Sequence, residues 1–121
     1  MLRCLIVDDN ASFLDAATSL LEREGLDVVG IASTIEVALR QTEKLRPDIV
    51  LVDITLGLQS GFDLARRLAE AHPDVTVILI STHAETDYAD MIAETSAAGF
   101  VPKSELSARA IVELANARRE R

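Results

Sequence analysis

Four hydrophobic runs in this 121-residue chain end in polar residues suited to work together. Leu5-Ile6-Val7 is followed by Asp8-Asp9, and Ile49-Val50-Leu51-Val52 by Asp53. Val75-Thr76-Val77-Ile78-Leu79-Ile80 runs into Ser81-Thr82, and Phe100-Val101-Pro102 into Lys103. As parallel strands of one sheet, they deliver three carboxylates, hydroxyls and an ammonium to one edge. Open α/β sheets bind ligands outside the carboxyl ends of their strands. Two carboxylates about 4 Å apart repel by about 4 kcal/mol at an effective dielectric near 20. Three together either raise their own pKa values or hold a cation. A few hard oxygens suit Mg²⁺, which keeps several waters and takes one or two carboxylates plus phosphate oxygens; Mn²⁺ is the alternative ion for such a site. A phosphoryl donor is itself negative, and metal and Lys103 together let it approach. The chain has ten Arg and two Lys, so a compact ammonium here is a specific choice for a phosphate oxygen. A carboxylate can act as a nucleophile and form an aspartyl-phosphate. Asp53, ending the middle run, is the best placed, with Ser81 and Lys103 to position and neutralise the transferred group.

Each residue also has a plainer reading. Asp8-Asp9-Asn10 resembles an ordinary turn in which Asn10 or Asp9 caps a helix. Ser81-Thr82 reads as loop hydroxyls, and Lys103 as a solvated surface lysine. What favours chemistry is the coincidence: all of them close strands at the same end.

The elements that must hold these residues alternate along the chain. Strands are expected at Arg3–Val7, Asp27–Ile31, Asp48–Val52, Val75–Ile80 and Phe100–Val101, most of them near-continuous in Val, Ile and Leu, as strands covered on both faces are. Helical patterns lie between them. Phe13, Leu14, Ala17, Leu20 and Leu21 share a face, with Gly25 at a C′ position. Ser33-Thr34-Ile35-Glu36 reads as a capping box before a helix that turns Ile35, Ala38, Leu39 and Leu45 inward. A third helix starts near Ser60, carries Leu64, Ala65 and Leu68, and is closed off by Pro73. A fourth is expected over Thr86–Ala98, ending at Gly99, and a fifth after Ser104, burying Leu106, Ile111, Val112 and Ala115. The pattern is (βα)₅: an α/β, flavodoxin-like, doubly wound parallel five-stranded sheet of order 2-1-3-4-5.

Composition narrows the function classes. The size is that of one domain, so residues 1–121 are read as a single unit with 117–121 as the stub of a linker. A net charge of −8 offers no electrostatic footprint for nucleic acid, so direct nucleic-acid binding by this domain is not expected. No apolar run has the length of a membrane span, and Met1-Leu2-Arg3-Cys4 leads straight into a strand without a signal-peptide pattern, which reads as cytoplasmic. The lone Cys4 has no internal disulfide partner and reads as a small core residue.

Together these residues resemble the receiver domain of two-component response regulators, over essentially the whole chain. The matching pieces are Leu5-Ile6-Val7-Asp8-Asp9-Asn10, Ile49-Val50-Leu51-Val52-Asp53, Gly61 eight residues later, Ile80-Ser81, and Gly99-Phe100-Val101-Pro102-Lys103, with 22 residues from Ser81 to Lys103. The resemblance implies a signalling switch rather than an enzyme. Asp53 would take a phosphoryl group from a sensor histidine kinase or phosphotransfer protein. Asp9 would bind Mg²⁺ directly and Asp8 mainly through water, with Asp53 and the Thr55 carbonyl as further ligands. Ser81 would hydrogen-bond the phosphoryl group and Lys103 pair with it. Phe100 would be the aromatic switch residue, where the plain reading is a static core aromatic. The family also implies an output face on the fourth helix, fifth strand and fifth helix, open to a partner or to a homodimer, and kinase docking near Leu14, Asp15 and Thr18.

The departures from the family pattern bear on behaviour. Gly57 stands where Pro is usual, which predicts a looser loop. Thr82 stands where a small residue is common, and its branched side chain would crowd the approach to the site. Ser104 in place of Pro predicts a trans bond after Lys103. Thr55 and His83 occupy the two positions that tune loss of the phosphoryl group in the family, and His83 is expected to affect phosphate lifetime. Lys103-Ser104-Glu105-Leu106 resembles receivers joined to a LuxR-type helix-turn-helix output domain. Three rivals remain at this stage. A phosphatase with an Asp nucleophile, as in haloacid dehalogenase-like proteins, wants a second acid where Thr55 stands. A flavodoxin wants a hydroxyl-rich phosphate loop where Asp8-Asp9 stands. A phosphate-independent interaction module on the same fold would not need the intact acidic and lysine set.

Overall fold

Alternate residues of each apolar run face opposite sides of one sheet, and each side acquires its own core. The computed structural model describes residues 2–82 and 88–119. Strands β1 (Arg3–Val7), β2 (Asp27–Ala32) and β3 (Ile49–Asp53) are followed by the short β4 (Thr55–Leu56) and β5 (Gln59–Ser60), which pair with each other, and by β6 (Thr76–Ser81) and β7 (Gly99–Pro102); the five long strands form a parallel sheet of order β2-β1-β3-β6-β7. In order of these five strands that is the expected 2-1-3-4-5. Cys4, Ile6, Ile49, Leu51, Ile78, Ile80 and Val101 pack with Leu14, Ala17 and Leu21 of α1 (Ala11–Arg23) and Ile111 and Ala115 of α5 (Ala108–Arg119). Leu5, Val7, Val50, Val52, Val77, Leu79 and Phe100 pack with Ile35 and Ala38 of α2 (Ile35–Leu45) and Leu64, Ala65 and Leu68 of α3 (Gly61–Ala71). The period-two alternation of the strands thus feeds two helical layers. Cys4 is fully buried, and desolvation pushes its thiol up to about 12, which leaves it an inert core residue.

Helix ends follow local chemistry. Asn10 caps α1, its side chain accepting from Phe13 N, and Gly25 at φ +98° follows the helix as a C′ glycine. Ser60 caps α3, accepting from Phe62 N. The expected capping box of Ser33 and Glu36 is not formed. Thr34 is the N-cap, accepting from Val37 N at 3.2 Å, and the Glu36 carboxylate turns away to Gln59. The fifth helix begins at Ala108 rather than just after Ser104: Lys103–Glu105 form a single 3₁₀ turn, Leu106 is buried ahead of the helix, and Ser107 accepts from Ala110 N. Glu24, at the end of α1, reaches across to accept from Ala108 N at 2.7 Å, tying the two helices of that layer together.

Several boundaries differ from expectation for physical reasons. β3 and β6 each run one residue further, to Asp53 and Ser81, because the ladder continues through Asp53–Ile80 pairing and Ile54 N–H donates to the Ile80 carbonyl. Asp48 drops out of β3 as its carboxylate accepts from Arg3 N. The fourth helix, expected over Thr86–Ala98, is α4 (Ala89–Ala93) among the described residues. The Thr95 hydroxyl donates to the Ile92 carbonyl and accepts from Ala97 N, offering the backbone a turn instead of another helical rung. Residues 117–119 continue α5. Among the described residues no peptide bond is cis, and no helix is long and apolar enough to cross a membrane.

Candidate functional site

Strand register brings the polar residues to one edge. Val7 pairs with Val52, so Asp8 lies beside Asp53, and Ser81 pairs with Pro102, so Lys103 follows next to Ser81. Asp8, Asp9 and Asp53 present carboxylate oxygens that all lie within 4.8 Å of one another. Asp8 is fully buried, Asp53 is 6% exposed and Asp9 is open to solvent. The Lys103 ammonium lies 2.5 Å from Asp8 Oδ2 and 3.4 Å from Asp53 Oδ2. Asp8 Oδ1 accepts from Asn10 N at 2.8 Å, and Asp53 Oδ1 accepts from Thr55 N at 3.3 Å. Ser81 is buried at the end of β6 and Thr82 is exposed just past it. Phe100 is turned inward into the α2–α3 layer and pairs with Leu79, two residues before the end of β7. His83 lies outside the described residues.

The charges leave the site short of positive counterweight. Burial and the neighbouring Asp8 carboxylate raise the Asp53 pKa to about 6, while Lys103 and the Thr55 N–H pull it the other way. Asp8 Oδ2 is buried and makes no hydrogen bond to the described residues; only the ionic contact with Lys103 serves it. Three carboxylates against one ammonium, with a buried oxygen still lacking a hydrogen bond, is a donor set that fits a small hard cation.

The segment after Asp53 is the part of the site that differs most from expectation. In place of a looser loop, Thr55–Leu56 (β4) and Gln59–Ser60 (β5) pair antiparallel about a Gly57-Leu58 turn. Gly57 has φ +61°, which permits this two-residue hairpin. Leu56 is buried beneath it and Leu58 is fully exposed at its tip. Gln59 bolts the hairpin to α2: its Oε1 accepts from Ile35 N at 2.9 Å and its Nε2 donates to both Glu36 oxygens at 3.0 and 3.1 Å. That amide contact also holds the Glu36 carboxyl below its usual value. Gly61 closes the turn against the strand, where a Cβ would lie 2.0 Å from the Asp53 carbonyl oxygen. A side chain there would push Asp53 out of place.

A Gln59→Ala variant should lose about 1 kcal/mol of stability, because the Ile35 N–H at the helix start loses its acceptor. Urea unfolding measures the loss, and faster hydrogen exchange at the hairpin amides should accompany it. Equal midpoints would show that water replaces the amide at no cost.

Residues 4–116 match the model of the response regulator receiver domain family. The chain belongs to that family. This receiver is 33% identical over 104 residues to the response regulator GacA of Pseudomonas viridiflava, covering 85% of this chain and 49% of that protein. It is 31% identical over 113 residues to the transcriptional regulatory protein DegU of Brevibacillus brevis, covering 93% and 48%. Among solved structures it resembles the signal receiver domain of the response regulator NarL from Mycobacterium tuberculosis, with a TM-score of 0.84, 27% identity, and 95% and 96% of the two chains covered. The receiver spans about half the length of the curated relatives it matches.

Two residues of the receiver's site were not singled out by sequence pattern. Gln59 belongs to no motif in the sequence. Phe13, read as one apolar residue of α1, has its ring under the Lys103 ammonium, 4.3 Å from Nζ to the ring centroid. Gly57 next to Leu58 was the available signal for the hairpin, since a two-residue Gly-X loop is a hairpin pattern. No one-dimensional pattern announces a ring that meets a lysine 90 positions later.

Proposed function

We propose that this receiver accepts a phosphoryl group on Asp53 from a phosphohistidine of a sensor histidine kinase or phosphotransfer protein, and uses the modified Asp53 to shift its conformation. The carrying observation is the buried Asp53 carboxylate held between Asp8 and Lys103, with its Oδ1 fixed by the Thr55 N–H. The second oxygen, Oδ2, which faces the Lys103 ammonium at 3.4 Å, would act as nucleophile. The O–P bond forms as the P–N bond to histidine breaks, and the imidazole leaves with that electron pair. With a small donor such as acetyl phosphate the bond broken is P–O, and acetate leaves.

Asp8, Asp9, Asp53 and the Thr55 carbonyl would hold Mg²⁺, which when bound neutralises the negative charge of acceptor and donor. Lys103 would move from Asp8 and Asp53 to a phosphoryl oxygen, and Ser81 would donate its hydroxyl to another. Phe100 follows the Ser81 movement as the inward aromatic of β7. Thr55, Thr82 and His83 at the rim would set how quickly water removes the group. The output surface is then α4, β7 and α5, read by a partner or a second copy of the chain, with the kinase near Leu14, Asp15 and Thr18. We further read residues 1–121 as one receiver unit acting in the cytoplasm, with gene control exerted through a separate DNA-binding segment. The net charge of −8 supports that division.

Incubation with Mg²⁺ and acetyl phosphate, followed by intact-mass measurement, tests the acceptor. One phosphoryl group should be gained, with no gain in Asp53→Asn or when the metal is chelated. A wild-type protein that takes no group from any donor would sink this reading and favour the phosphate-independent module.

A further inference from the structure

Lys103 is held by three groups, and one of them is not a charge. Its ammonium lies 2.5 Å from Asp8 Oδ2, 3.4 Å from Asp53 Oδ2 and 4.3 Å from the centroid of the Phe13 ring. The lysine side chain is 13% exposed, so little water competes for it. Phe13 stands in the first turn of α1, its own N–H tied to the Asn10 cap, and packs against the α1–α5 core layer. The ring is therefore fixed by the same turn that carries Asp8 and Asp9. A leucine would fill the space, but it offers no negative face to a cation.

The two carboxylates are changeable partners. If Asp8 and Asp53 give their oxygens to a cation, and Asp53 then to phosphorus, Lys103 loses the pull of both. A flexible four-carbon stem would then spread over many rotamers. The attraction of the ring face depends on neither carboxylate, and it survives sideways movement of the ammonium better than a hydrogen bond does.

We propose that Phe13 is a positioning residue for Lys103: its ring face keeps the ammonium at the acidic cluster while the carboxylates change partners, so that the lysine meets the incoming phosphoryl oxygens. This rests on the reading of Asp53 as the phosphoacceptor, and it adds a residue that the acidic and lysine set does not include.

Two readouts test it on the full chain. The first is spectroscopic and needs no phosphorylation. The chain has two lysines, Lys44 and Lys103, so a lysine-labelled sample gives two sets of side-chain signals. Lys44 is exposed on α2, while the Lys103 methylene next to the ammonium should be shifted upfield by the ring. In Phe13→Leu that signal should move toward the Lys44 position, and in Phe13→Tyr it should stay. The second readout is the rate of Asp53 phosphorylation by acetyl phosphate at saturating Mg²⁺. Phe13→Leu should slow it by about three- to thirty-fold, the range expected for one cation–π contact. Phe13→Tyr should restore it, and Phe13→Leu should add nothing in a Lys103→Met background. A structural role alone would slow both backgrounds equally and would not distinguish Tyr from Leu.

An unshifted Lys103 signal, or a Phe13→Leu protein that phosphorylates at the wild-type rate, overturns the proposal. If the wild type takes no phosphoryl group at all, the acceptor reading fails, and with it the role of Phe13 in transfer; the lysine spectrum then still reports whether the ring holds the ammonium.

Discussion

Asp53→Asn should make the metal-free protein more stable above about pH 6, by up to about 3 kcal/mol, and should leave it unchanged near about pH 3. The Asp53 side chain is 9% exposed, and burial together with the Asp8 charge raises its pKa from 3.8 to about 6. The folded protein therefore holds that proton more tightly than the unfolded chain does. Stability from this group is fully present below the unfolded value. It falls as pH rises from about 4 and is lost once pH has passed the folded value near 6. About two pKa units at 1.4 kcal/mol each set the ceiling, and water at the open sheet edge lowers it. Asn keeps an oxygen to accept from Thr55 N and gives up the 3.4 Å contact of Oδ2 with Lys103, which keeps Asp8, so the variant removes the buried charge at the cost of one long ionic contact. Urea midpoints measured with EDTA from pH 3 to 8 give the curve. Adding Mg²⁺ should narrow the gap, since the cation relieves the wild type more than the variant. A midpoint difference that stays constant across pH would show that Asp53 titrates alike in folded and unfolded chains.

Much of this arrangement is legible in one dimension because strands covered on both faces leave a continuous apolar record, and its ends mark the site. Asp8, Asp9, Asp53, Ser81 and Lys103 all close such runs, and parallel register then gathers them. What is not legible is set by contacts between distant residues or by hydrogen bonds indifferent to side-chain polarity. Asp53 and Ser81 belong to their strands because the backbone ladder runs on past the last apolar residue. α4 ends early because one hydroxyl, on Thr95, competes for the Ile92 carbonyl. Gly57 in place of Pro suggested slack, but the segment is a hairpin whose Gln59 meets Ile35 and Glu36, 24 and 23 positions away. Phe13 has the same helical spacing as its core neighbours, and only the fold sets Lys103 above it.

The charge balance makes Lys103 the residue whose loss should cost most. Lys103→Met in the absence of metal leaves Asp8 fully buried and Asp53 nearly so, with no cation between them. Removing one member of a buried ionic cluster typically costs about 3–5 kcal/mol, because the remaining charge is stranded rather than resolvated. Met has nearly the volume and flexibility of the lysine stem, so the loss measures charge and not packing. Three further results separate this from a general packing defect. Mg²⁺ should restore much of the lost stability by taking the place of the ammonium. Lowering the pH toward about 4 should restore it too, as Asp53 takes up its proton. Asp53→Asn should stabilise the Lys103→Met protein by more than it stabilises the wild type, giving a coupling energy between the two sites well above zero. Additive effects of the two substitutions, or a Lys103→Met protein as stable as wild type in EDTA, would mean that water enters the sheet edge and screens Asp8 and Asp53. The stability of the resting site would then owe little to its lysine, whose contribution would be confined to the moment of phosphoryl transfer.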